Sequence, residues 1–201
     1  MRRMCALLLC LSLMVPPAVA VTENVWPTWA ENALSWGQDQ GISQGLLNAP
    51  EAAVTRGEAA QLLYQAAGRP AVSKECPFSD VSGPDSDAVT WAAEQGYLTG
   101  VGDGRYEPDR PVSRQEFAAI LWRWAGAPAA AVQGISQFRD AGAVADWART
   151  PVLWCLQAGV MAGRDTDQLA PDGTITVAEA LVMLEQVHTL PDITKLREDL
   201  E

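Results

Sequence analysis

The chain has 201 residues, with 14 Lys plus Arg against 25 Asp plus Glu, a net charge of −11 and a pI near 4.5. That balance excludes a nucleic-acid binder, which needs a basic face to neutralise phosphates. Charged residues are only 19% and hydrophobic ones 48%, the reverse of a disordered acidic tail, so a packed core is expected.

Arg2 and Arg3 precede an apolar run from Cys5 to Val15, and Ala18-Val19-Ala20 follows as a small-x-small site. Residues 1–20 therefore read as a secretory signal peptide. The eleven-residue run spans about 17 Å as a helix, against roughly 30 Å of hydrocarbon, so it is too short for a permanent span. No later stretch is long and apolar enough to replace it, and the mature chain is expected to be exported without a transmembrane segment. Cleavage before Val21 removes two arginines and no acid, leaving 12 basic against 25 acidic residues, a net of −13. Cys76 and Cys155 remain, either as a pair or as two free thiols.

From Trp26 onward the sequence repeats itself. With Trp36, Trp91 and Trp154 in register, Gly41, Gly96 and Gly159 align, as do Gly45, Gly100 and Gly163. Downstream, Thr55-Arg56-Gly57-Glu58, Ser113-Arg114-Gln115-Glu116 and Thr176-Val177-Ala178-Glu179 coincide. Self-similarity at this period signals a stack of supersecondary units. Each copy reads as helix, loop, helix. The second helix carries an apolar stripe at i, i+3, i+4, i+7: Ala59, Leu62, Leu63 and Ala66; Phe117, Ile120, Leu121 and Trp124; Val177, Ala180, Leu181 and Leu184. Thr55 with Glu58, Ser113 with Glu116 and Thr176 with Glu179 predict capping boxes, and Thr28 with Glu31 predicts another at the first helix. Gly41, Gly96 and Gly159 end the first helices and Gly68 and Gly126 two of the second, where a left-handed residue is wanted. One hairpin of this size cannot bury its apolar face, so three are expected to share a core in one all-α domain over about residues 26–188.

Copy two opens Phe78-Ser79-Asp80-Val81, runs through Trp91-Ala92 and a loop Gly100-Val101-Gly102-Asp103-Gly104-Arg105-Tyr106-Glu107-Pro108, and restarts at Val112-Ser113-Arg114-Gln115-Glu116-Phe117. This closely resembles the S-layer homology repeat. Between the signal peptide at 1–20 and a charged tail at 189–201, the resemblance implies repeats at 21–68, 69–126 and 127–188. It implies three helix-loop-helix repeats in a pseudo-threefold bundle with the second helices at its centre. It also implies non-covalent attachment to an acidic secondary cell-wall polysaccharide, in this family often pyruvylated, held between neighbouring repeats at the cell surface. The alternative is a degenerate envelope scaffold that binds other envelope proteins and no glycan.

At −13 overall, the domain cannot draw in an anionic glycan by its general field, so local cationic sites are needed. Arg56 and Arg114 each follow a helix N-cap, where the helix end is expected to offer partial positive charge and free N–H groups. Trp29 and Trp147 are candidate groove walls for a sugar face. Gly100, Asp103 and Gly104 complete the candidate glycan contacts, the glycines by letting backbone approach a ligand. Two departures bear on the sites: copy three has Val177 where the others have Arg, and copy one lacks the Asp-Gly part of its loop.

Catalysis is not expected. The regularly spaced acids Glu58, Glu116 and Glu179 are explained by capping, no nucleophile motif is present, and one histidine, His188, makes imidazole chemistry and a multi-histidine metal site poor fits. The Asp165-x-Asp167 and Asp172-Gly173 run lacks the spacing of a calcium loop. No cofactor is implied.

Overall fold

The N–H of Val54 donates to the carbonyl of Ile175, Ile175 donates to Val112, and Val112 donates back to Val54, at 2.9–3.0 Å. This closed ring of three hydrogen bonds links segments that are far apart in sequence, and all three side chains are buried. It was found in a computed structural model that describes residues 25–130 and 134–190. The expected signal peptide and the tail beyond residue 190 lie outside the described residues.

The described residues are helical, with isolated bridges and no extended strand among them. The helices are α1 (Glu31–Asp39), α2 (Gln44–Leu47), α3 (Arg56–Ala66), α4 (Ser86–Glu94), α5 (Arg114–Trp124), α6 (Arg149–Gln157) and α7 (Val177–His188). The all-α class is as expected. Helix α3 packs on α4, α5 on α6, and α7 returns to α1, so the second helix of each pair lies against the first helix of the next.

Local chemistry sets the element boundaries. Helices α3, α5 and α7 begin with complete capping boxes: the hydroxyls of Thr55, Ser113 and Thr176 accept from Glu58, Glu116 and Glu179, whose carboxylates accept from the cap N–H in return. Gly41, Gly96 and Gly159 sit just past α1, α4 and α6 with φ near +70°, the left-handed conformation that ends a helix. The expected box at Thr28 and Glu31 does not form. Pro27 precedes a 3-10 turn at Thr28–Ala30, so α1 starts at Glu31 and Thr28 lies outside it. Similar turns, Gly83–Asp85 and Asp146–Ala148, lead into α4 and α6.

The apolar stripes of α3, α5 and α7 are almost wholly inaccessible, as are Val89, Val152, Tyr106 and Leu169. Trp91 and Trp154 are buried and Trp36 is half-buried. Trp91 packs edge-on against Tyr97 and Trp124, with Tyr64 on its other flank. Cys76 and Cys155 are both free thiols; Cys155 is buried and donates to the Ala118 carbonyl at 3.6 Å.

Two loops are clamped the same way. The Asp80 carboxylate accepts from the N–H groups of Tyr106 and Glu107, and that of Asp140 accepts from Leu169 and Ala170. Burial works to raise both carboxyls, but these backbone donors override it and hold them below the ordinary range.

Candidate ligand grooves

Each of α3, α5 and α7 starts against the loop of the neighbouring pair. The N–H of Arg56 donates to the Arg110 carbonyl and that of Gly57 to Pro108. Arg114 and Gln115 donate to Gly173 and Pro171; Val177 and Ala178 donate to Ala52 and Pro50. With the third N–H taken by the capping hydroxyl, the first turn of each helix has no free donor. The expected anion site at the helix ends is therefore absent. Its N–H groups join the pairs together, and any anion contact must come from side chains.

Arg56 is 8% exposed and Arg114 4%. The Arg56 guanidinium donates through Nε to the Tyr106 carbonyl at 2.8 Å and through Nη2 to Thr99 at 2.6 Å, and stacks 4.5 Å from the centre of the Tyr106 ring. Arg114 repeats the pattern, through Nε to Leu169 at 3.1 Å and Nη2 to Ala162 at 2.6 Å. Its Nη1 also meets a carboxylate oxygen of Glu179 at 2.9 Å. Burial lowers both guanidinium pKa values, which Tyr106 beside Arg56 and Glu179 beside Arg114 oppose.

A second arginine rests on two of the three capping glutamates. Arg110 reaches Glu116 at 2.7 Å, and Arg164 grips Glu179 with Nε and Nη2, both at 3.0 Å. These two arginines stand at unrelated places in their copies, six and fifteen residues before the glutamate. The sequence register therefore gave no sign of them. Glu58, the third capping glutamate, has no arginine partner among the described residues. Burial works to raise Glu116 and Glu179, but Arg110 and Arg164 respectively, together with the cap N–H groups, hold both carboxyls below their ordinary value.

Two grooves result. The first, about 140 Å³, is lined by Arg56, Thr99, Glu116, Arg123 and Trp147. The second, about 500 Å³, is lined by Trp29, Arg114, Arg164, Glu179, Val182 and Met183, together with Gly159, Val160, Ala162 and Gly163. Trp29 and Trp147 are 59% and 56% exposed. Each is the central residue of its 3-10 turn, placed by the first helix of its pair next to the arginine of a different pair. The corresponding turn before α4 has Pro84 at its centre. The third helix start thus has Val177 for Arg and Pro84 for Trp.

Gly100, Asp103 and Gly104 line neither groove. A Cβ on Gly100 would sit 2.6 Å from the Phe78 ring and 2.9 Å from the Arg105 carbonyl, so the bare α-carbon makes room for the protein's own phenyl group. Asp103 and Gly104 form an exposed turn with positive φ, where the Gly104 carbonyl accepts from Ser79.

Residues 77–118 and 137–181 match the S-layer homology domain. The chain is 28% identical over 203 residues to a surface-layer 125 kDa protein of Lysinibacillus sphaericus, covering 92% of this chain and 17% of that protein. It is 26% identical over 158 residues to a cellulosome-anchoring protein of Acetivibrio thermocellus, covering 73% of this chain and 34% of the other. It is 26% identical over 175 residues to the exoglucanase XynX of Acetivibrio thermocellus, covering 82% of this chain and 16% of that enzyme. The chain therefore spans about a third or less of each of these relatives.

Proposed function

We propose that this chain is a non-catalytic module that attaches to the bacterial cell wall by binding an acidic wall polysaccharide in the Trp29 and Trp147 grooves. The matches to the S-layer homology domain, and relatives named for the surface layer and for cellulosome anchoring, support a cell-surface or cell-wall location. We further read the chain as three S-layer homology repeats about a pseudo-threefold axis, which the cyclic helix pairing and the ring of Val54, Val112 and Ile175 support.

One observation carries the ligand assignment. Arg56 and Arg114, each anchored on backbone carbonyls, stand with an exposed indole from another pair and with the capping glutamate of the next second helix, Glu116 and Glu179, on which Arg110 and Arg164 rest. Arg56, Arg110 and Arg123 stand with Glu107 and Glu116 at the Trp147 groove, and Arg114 and Arg164 with Glu179 at the Trp29 groove, so each has one more guanidinium than carboxylate, a local cation in a domain that is acidic overall. Guanidinium suits a sugar carboxylate and the indole suits a sugar face. The third start has neither arginine nor tryptophan, so two grooves act.

The test is sedimentation of the purified chain with cell walls, before and after acid-labile polysaccharide is stripped from them. Binding is expected to be lost on stripping and to weaken as salt screens the ion contacts. The Trp29→Ala, Trp147→Ala double variant removes two exposed side chains and is expected to fold while losing wall retention, since buried-on-binding tryptophans are frequent anchors. Equal retention on stripped walls overturns the glycan reading. Capture on an envelope protein in their absence would instead favour the scaffold alternative.

A further inference from the structure

The two grooves are built on one plan but turn different charge toward the cavity. In both, the buried arginine donates through Nε and Nη2 to backbone carbonyls. They part at Nη1. In Arg114 that nitrogen is taken by Glu179, whose carboxylate Arg164 also grips, so an internal anion already sits between the two guanidinium groups. In Arg56 the Nη1 group makes no hydrogen bond to the described residues and is not sealed from solvent. Glu116, the counterpart of Glu179, is held by Arg110 and forms no ion pair with Arg56. The Tyr106 ring covers one face of the Arg56 guanidinium, so the Nη1 edge is what stays open, in a residue more than nine-tenths buried.

A second difference lies further along the same helices. Arg123 of α5 and Gln186 of α7 both stand seven residues after the capping glutamate, and each lines its groove. The Arg123 side chain is half-buried and makes one long hydrogen bond, 3.3 Å from Nη1 to the Tyr97 carbonyl. Its Nε and Nη2 make none to the described residues. Arg110 is turned to Glu107 and Glu116. The Trp147 cavity is therefore faced by two guanidinium groups with open donors and by one carboxylate whose charge Arg110 already meets. At about 140 Å³ it has room for a few water molecules, the size of an acidic substituent, and it falls below the roughly 300–1,000 Å³ of a site that encloses a small molecule.

Resting on the glycan reading above, we propose that the two grooves differ in charge selectivity: the Trp147 groove requires a carboxylate, clamped between Arg56 Nη1 and Arg123, and the Trp29 groove accepts its sugar with or without the charge. Arg123 is the residue that sets the difference. A guanidinium with no ionic partner in the free protein gains one from the ligand, and such a charge-assisted bond is stronger than a neutral one. Arg114 gains less, because a ligand carboxylate must share it with Glu179 and is repelled by that anion at short range. A neutral ligand in the Trp147 groove leaves two guanidinium groups unmatched, which is how a polar site rejects the wrong ligand.

The experiment isolates each groove in the full chain. Trp29→Ala leaves the Trp147 groove, and Trp147→Ala leaves the Trp29 groove. The probe is purified wall polysaccharide, either native or with its carboxyl groups reduced by carbodiimide and borohydride to primary alcohols, titrated calorimetrically at fixed salt. In Trp29→Ala the native polymer is expected to bind at least about tenfold more tightly than the reduced one. In Trp147→Ala the ratio is expected to be about threefold or less. Arg123→Gln in the Trp29→Ala chain should bring its ratio down to that of the other groove, and Gln186→Arg in the Trp147→Ala chain should raise it. A merely structural loss weakens both polymers alike and leaves the ratio where it was. Equal ratios in the two single-groove chains, a larger ratio at the Trp29 groove, or a ratio unmoved by Arg123→Gln overturns the difference in selectivity while leaving the glycan reading standing. Failure of the unaltered chain to bind either polymer overturns both.

Discussion

Arg114→Met keeps an aliphatic stem of similar length and removes the guanidinium. Three partners lose a donor: the carbonyls of Leu169 and Ala162 and the Glu179 carboxylate. Glu179 is not stranded, because Arg164 and the Thr176 N–H still hold it. The cost of about 3–5 kcal/mol for an uncompensated buried charge therefore does not apply. The two carbonyls decide the magnitude: a deprived buried acceptor costs about 1–3 kcal/mol; Ala162 lines a groove that water can enter and falls at the low end, Leu169 is fully buried and falls in mid-range, so the sum is about 3 kcal/mol. For a chain of this length that is a fall in Tm of about 6–12 °C. Urea unfolding followed by circular dichroism, with calorimetry for Tm, measures it. Arg164→Met is the internal control: its side chain is 37% exposed, and an exposed pair contributes about 0–1 kcal/mol. If Arg114→Met melts within ~1 °C of the parent, or no lower than Arg164→Met, the guanidinium does not tie the second pair to the third and the account of the groove floor is wrong.

Gly100→Ala would press a methyl group into the Phe78 ring and the Arg105 carbonyl, and is expected to cost about 1–3 kcal/mol in urea unfolding, as overpacking does. Acid should destabilise the fold through Glu116 and Glu179. Their carboxyls are depressed in the folded state, so the stability they add is complete above the unfolded value of about 4.3 and is lost as pH falls through the lower folded values. Thermal melts between pH 7 and pH 3 check this, and Glu179→Gln should flatten the acid limb. In thiol labelling of the native chain, half-buried Cys76 should react and Cys155 should react only on unfolding, because burial both shields its thiol and raises its pKa.

Much of the architecture could be read from residue spacing, because a capping box and a left-handed glycine act locally. Ser113 and Glu116 need only three residues between them to start α5, and Gly96 needs only its own φ to end α4. The same rule misled at Thr28 and Glu31, where Pro27 and the 3-10 turn moved the helix start beyond the threonine. The grooves were less legible because their chemistry joins different copies. Arg114 and Glu179 are 65 residues apart, and Arg110 and Arg164 reach equivalent glutamates from unrelated offsets. The helix-end N–H groups, counted as free from one copy at a time, are taken by the carbonyls of the next. Gly100 was expected to let backbone approach a ligand, and its neighbour proved to be Phe78, a residue 22 positions earlier that nothing at Gly100 itself announces.

The hydrogen-bond ring through Val54, Ile175 and Val112 has a bearing on how this chain comes apart. In an open stack of repeats an outer unit touches a single neighbour and can fray while the rest survives. Here every hairpin has two neighbours, and none is terminal. Melting any one of them breaks two junctions at once and leaves the remaining pair with exposed faces, so partial opening gains little chain freedom for a large loss of contact. A single concerted denaturation follows, and a shortened chain lacking one hairpin should be unfolded rather than two-thirds intact.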